Sequence, residues 1–128
     1  MNDIQGEGPL PGENVEAALA GQRQLEKEIL KMKFYADQVD ELIEENHTQE
    51  IKLVVERIRK IQDKILTLIS SIQEIKIEDG YGYRDVRQWK RDMQSRYSMF
   101  IQQKEKLIAV LKQKQEFESQ EKERKFIK

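Results

Sequence analysis

The chain has no cysteine, and that absence removes disulfides, thiolate nucleophiles and cysteine-based zinc sites from consideration. It fits a reducing compartment, so an intracellular, cytoplasmic location is the expectation. Proline occurs only at Pro9 and Pro11, and after Gly21 glycine returns only at Gly80 and Gly82. A chain so poor in helix breakers can sustain long helices. No apolar run approaches the length of a membrane span, and the N-terminus lacks the basic flank and apolar stretch of a signal peptide. There is one histidine, His47. What the chain has in quantity is charge: 37% of its 128 residues are charged and 38% hydrophobic, with a formal net charge of -1. That composition suits a narrow apolar seam between long helices better than a thick globular core.

Two heptad ladders fill the first two thirds of the chain. Val15, Ala18, Gln22, Leu25, Ile29, Met32, Ala36, Val39 and Ile43 follow one another at steps of three and four residues. Ile51, Val54, Ile58, Ile61, Ile65, Leu68, Ile72 and Ile75 repeat the pattern, but out of phase with the first set by one residue. Such spacing puts apolar side chains on one stripe of a helix, which must be buried against another helix.

The slip in register falls at Glu45-Asn46-His47-Thr48, where Asn46 can end one helix or cap the next with Gln49 as capping-box partner. A hairpin is the preferred reading, and one continuous helix with a skip residue is the alternative. Glu78 to Tyr83, with its Asp-Gly pair, marks a second break. Asp85 is then the expected cap of a third helix, with Gln88 in the reciprocal position. Its apolar face holds Trp89, Met93, Tyr97, Phe100, Ile101, Leu107, Ile108 and Leu111, wide enough to meet two neighbours. The expected fold is all-α: an antiparallel up-down-up three-helix bundle or coiled coil with helices at about 14–45, 48–77 and 85–118. A disordered leader is expected at 1–13, as a linker or the fringe of a longer protein, with the bundle at 14–111 and a charged, solvated helical tail at 112–128. Asn14 is the expected cap of the first helix, and Gly21 makes its first turns the weakest.

Candidate chemical groups are few. His47 stands in a turn with no serine to activate, and as a lone imidazole it reads as a polar turn residue rather than a metal ligand. Asp40-Glu41 and Glu44-Glu45 lack a glycine-bearing calcium loop, and Gly80-Tyr81-Gly82 lacks the strand and lysine of a phosphate loop. The expectation is no catalysis, no metal and no cofactor. The candidate interaction surface is Arg84, Arg87, Lys90, Arg91 and Arg96, clustered with Tyr81, Tyr83, Trp89 and Tyr97. Basic residues with aromatics suit nucleic acid. The first 50 residues are strongly acidic and the last 50 basic, however, so the favoured reading pairs these cations with the acidic first helix.

The run Val86-Arg87-Gln88-Trp89-Lys90-Arg91-Asp92, with Tyr97 and Lys104-Glu105-Lys106-Leu107, resembles helical segments near the start of gag-like structural polyproteins of Pao/BEL-type retrotransposons, over about residues 47–125. That resemblance implies self-assembly or RNA packaging. In shape the pattern is also similar to spectrin-type repeats and the regulatory region of syntaxins, without the tryptophan of the former's first helix or a SNARE heptad segment. The functional expectation is a non-enzymatic protein-interaction, self-assembly or scaffold module, whose partner is a protein or a second copy. The alternative is RNA binding by the third helix. The packing seam expected is Leu25, Ile29, Val39, Ile43, Ile51, Ile58, Ile65, Ile72, Trp89, Met93, Tyr97, Phe100, Leu107 and Leu111.

Overall fold

The computed structural model describes residues 11–127, and the side chains of residues 15–123. Four helical segments form three arms: α1 (Pro11–Ala36) with α2 (Val39–Glu45), then α3 (Thr48–Glu78), then α4 (Tyr83–Ile127). No strand occurs among the described residues. Helix α3 runs antiparallel to α1, since Gly21 faces Ile72 at one end and Tyr35 meets Arg57 nearer the other. Helix α4 returns parallel to α1, with Arg96 on Glu26 and Lys106 on Asp40. The chain is therefore an up-down-up three-helix bundle, and the register slip is a hairpin turn rather than a skip in one long helix.

The core is the expected seam. Leu25, Ile29, Val39, Ile51, Ile58, Ile65, Ile72, Met93, Tyr97 and Leu107 are buried, and Trp89, Phe100 and Leu111 pack half-buried against them. Helix α3 buries Val55 and Ile69 as well, while Leu68 and Ile75 of its expected ladder stay half-buried, because the helix packs against both α1 and α4 and the buried face is wider than one stripe.

The first arm departs from the expected unbroken helix. At Asp37–Gln38 the Gln38 N–H donates to the Tyr35 carbonyl at 3.2 Å, an i to i−3 bond that tightens the chain and turns α2 relative to α1. Leu42 then enters the core and Ile43 remains half-buried at its edge, so Leu42 replaces Ile43 in the seam. Asn46 ends α2 in the left-handed region at φ 59, its N–H donating to the Leu42 carbonyl. His47 precedes α3 in an extended conformation with no side-chain cap, so the capping box with Gln49 does not form. Lys114 closes this turn from α4, its Nζ donating to the Asn46 carbonyl and Thr48 Oγ1 at 3.1 and 2.8 Å.

The α3–α4 connection is a Schellman motif. Gly80 adopts φ 87, its N–H donates to the Ile77 carbonyl, and the Tyr81 N–H donates to the Lys76 carbonyl, which satisfies two terminal acceptors of α3. Helix α4 starts at Tyr83, with the Val86 N–H on the Gly82 carbonyl, so Asp85 lies inside the first turn and is not the cap. Gln88 turns forward to Asp92 instead.

Two boundaries also move. Residues 11–13 of the expected leader are helical, with proline at the first position of α1, where its missing N–H is not needed; Asn14 thus lies within the helix. Residues 1–10 lie outside the described residues. Helix α4 has 45 residues, longer than the roughly matched helix expected, and runs on past the turn that Lys114 touches. Beyond Lys114 its described side chains are exposed, as expected of a charged tail, whereas Lys114 itself belongs to the bundle.

Candidate interaction surface

Three parallel or antiparallel arms give the cations on α4 two different neighbours, and this divides the five expected site residues. Arg96 lies on the side of α4 that faces α1. Its Nη1 and Nη2 donate to Glu26 Oε1 and Oε2 at 2.7 and 3.1 Å, a bidentate pair. These bonds, with a further one from Gln22, hold the Glu26 carboxyl down at about 2. Arg96 and Lys106 carry the match between acidic first arm and basic last helix. Arg84, Arg87, Lys90 and Arg91 make no ion pair among the described residues. For these four the expected pairing with the first helix does not occur, because their stretch of α4 turns toward α3 or solvent.

Arg87, Lys90 and Arg91 line one wall of a groove of about 550 Å³ between the end of α3 and the start of α4. Ile77, Tyr81 and Val86 supply apolar surface, Tyr83 stands at the edge 70% exposed, and the carboxamides of Gln73 and Gln94 belong to opposite helices. The local sequence makes this shape. The Schellman turn ends α3 abruptly, so Ile77 has no helix beyond it to cover it, and the 83, 87, 90, 94 spacing keeps one face of α4 on the groove.

Of the four aromatics grouped with these cations, two are structural. Tyr97 is buried, and burial raises the pKa of its phenol. Trp89 is half-buried, and Lys76 Nζ sits 5.2 Å from its ring centre and 4.6 Å from that of Tyr81, tying the turn to α4 through cation–π contacts. Tyr81 and Tyr83 are the aromatics left exposed.

Sequence reasoning missed two buried polar groups. Lys104 follows Tyr97 by seven residues in the α4 seam and donates from Nζ to Gln62 Oε1 at 2.7 Å, a polar link from α4 to α3. The heptad count from Tyr97 could have found it. Glu28 is 1% exposed between α1 and α3; its Oε2 accepts from Gln24 and Lys31, and its Oε1 is buried without a partner. Nothing in the spacing singles out Glu28 from other polar residues beside the seam.

His47 lies 3.8 Å from Glu45 and 3.7 Å from Glu50, and the ligand atoms of the three lie within 4.8 Å of one another. All three are exposed at the turn. Exposed polar side chains gathered at a turn account for such an arrangement. No described helix is long and apolar enough to cross a membrane. No family model, no curated protein and no solved structure matches the chain.

Proposed function

We propose that the chain is a non-enzymatic helical module for protein association, and that the groove between α3 and α4 docks an anionic segment of its partner. The observation that carries this reading is the set of four cations on α4 that pair with no carboxylate among the described residues, three of them beside exposed apolar and tyrosine surface. Charged side chains without internal partners are available for steering and register, while an apolar floor supplies binding energy. The bundle closes its seam within one chain, so these groups are not needed to complete the core.

RNA binding is the second reading, favoured by Tyr81 and Tyr83 standing exposed near the cations, where a base can stack. It ranks behind because the unpaired cations are confined to two turns of α4 and are interleaved with Asp85 and Asp92, whereas a nucleic-acid backbone is tracked by a longer basic stripe. The gag-like resemblance is consistent with either partner.

Fluorescence anisotropy separates the two. The probes are a labelled peptide with a leucine flanked by glutamates and a single-stranded oligoribonucleotide, titrated with the full chain and with Arg87→Glu/Arg91→Glu. The expected result is peptide binding that the double substitution abolishes, with helix content and melting temperature unchanged. Preferential, steeply salt-dependent RNA binding would establish the second reading. A fall in melting temperature without binding of either probe would make the cations structural.

A further inference from the structure

The first arm carries another heptad ladder on its outer side, running along α1 and across the break into α2. Arg23, Lys27, Leu30, Phe34, Asp37 and Glu41 follow one another at steps of four and three residues, and all six are exposed. The core ladder of the same arm is Leu25, Ile29, Met32 and Ala36, so the outer set is a separate stripe that the bundle leaves uncovered. At its centre Leu30 is 65% exposed and Phe34 62%, a large apolar pair flanked along the stripe by charged residues.

The order of charge along this stripe is the informative part. It reads basic, basic, apolar, apolar, acidic, acidic. A two-fold axis midway between Leu30 and Phe34 would set Leu30 against the second copy's Phe34, Lys27 against its Asp37 and Arg23 against its Glu41. A closed two-fold dimer requires this self-complementarity, and only the antiparallel arrangement provides it. In a parallel pair, basic residues would face basic and acidic would face acidic.

The residues are also placed to make such contacts. Arg23, Lys27 and Glu41 have no ion pair among the described residues. Asp37 Oδ2 accepts from Lys33, four residues earlier, at 2.6 Å, leaving Oδ1 for a second cation. The Phe34 ring is set edge-on against Tyr35 at 5.3 Å, and the Tyr35 hydroxyl accepts from Arg57 of α3 at 3.3 Å, so the apolar anchor is held before anything binds. The break at Asp37–Gln38 does not bury the acidic end, since Glu41 and Glu44 of α2 remain exposed.

We infer that a second copy of this chain docks antiparallel on the outer face of the first arm, with Leu30 and Phe34 of α1 at the centre of the interface and Arg23 and Lys27 opposite Glu41 and Asp37 at its ends. This deepens the association reading and rests on it, but on residues apart from the α3–α4 groove.

Sedimentation equilibrium of the full chain across concentration and salt tests it, followed by cross-linking. The expected result is a dimer that weakens with salt, as its end contacts are screened. Leu30→Ser/Phe34→Ser should raise its dissociation constant by roughly tenfold or more, because both central anchors are lost. Both side chains are exposed in the single chain, so helix content should hold in that variant, and so should the melting temperature when both proteins are compared at concentrations where they are monomeric. The chain has no cysteine, so position-specific disulfides report orientation directly. A mixture of Lys27→Cys and Asp37→Cys chains should cross-link on oxidation, whereas Lys27→Cys alone should not. In an antiparallel pair its two copies lie about 15 Å apart along the axis, beyond disulfide reach. A chain that is monomeric at every concentration, a dimer indifferent to Leu30→Ser/Phe34→Ser, or cross-linking of Lys27→Cys with itself would each overturn the interface. Peptide binding at the groove, measured on the same Leu30→Ser/Phe34→Ser protein, shows independently whether the association reading stands.

Discussion

Arg96 grips both carboxylate oxygens of Glu26 at 2.7 and 3.1 Å, joining α4 to α1 between residues 70 positions apart in sequence. The two side chains are 39% and 45% exposed, so the pair contributes at most about 1 kcal/mol to stability. Hydrogen bonds from Arg96 and Gln22 lower the Glu26 pKa from 4.5 to about 2. Because the folded value lies below the ordinary one, the contribution is present above pH 4.5 and is lost as pH falls through about 2. Glu26→Gln should therefore lower the melting temperature at neutral pH, and its difference from the unsubstituted chain should shrink across that acid window. Thermal unfolding by circular dichroism from neutral pH down to 2 measures this. A constant difference at every pH would mean that Glu26 acts through packing alone.

Gly21 of α1 faces Ile72 of α3. A methyl group added there would stand 3.0 Å from Ile72 Cγ1 and 3.4 Å from Cδ1, and Ile72 is buried in the core at 1% exposure. In a helix interior, glycine to alanine ordinarily gains about 1 kcal/mol. Here the close approach should cancel that gain, and Gly21→Val should lower the melting temperature clearly, since its two further methyl groups overpack the contact. A stabilised Gly21→Ala would show that the arms can part at this level without loss.

Glu28 is a carboxylate in a site that does not fully satisfy it. Gln24 and Lys31 both donate to Oε2, at 2.9 and 3.1 Å, while Oε1 is buried without a partner. A buried unsatisfied acceptor costs about 1–3 kcal/mol. Glu28→Met, similar in volume and free of charge, should raise the denaturation midpoint in urea without changing the slope. A lower midpoint would reveal that the carboxylate is needed to organise Lys31 and its neighbours.

The ladders were legible because heptad spacing is a local property: once a helix forms, residues three and four apart must share a face. They placed Leu25, Ile29, Ile51, Ile58, Ile65 and Ile72 in the core, and the Asp-Gly pair marked the turn that Gly80 makes at φ 87. The same rule failed at Ile43, because one i to i−3 bond at Gln38 turned α2 and brought Leu42 inward. The capping residues failed as well. Asn46 entered the left-handed region to end α2, and Asp85 fell inside a helix that had begun at Tyr83.

By itself, then, the sequence determined helix content, the seam, the two breaks and the cluster of basic residues early in α4, all of which follow from composition and period. Only the tertiary structure decided which arm each charge would face. Arg91 and Arg96 stand five residues apart on one helix, yet Arg96 is clamped by Glu26 of α1 and Arg91 lines a groove against α3. Glu28 is buried and Glu41 exposed for the same reason. The period of a helix states which residues share a face, but the fate of a face depends on the angle at which two other helices arrive, and that is set by packing across the whole bundle.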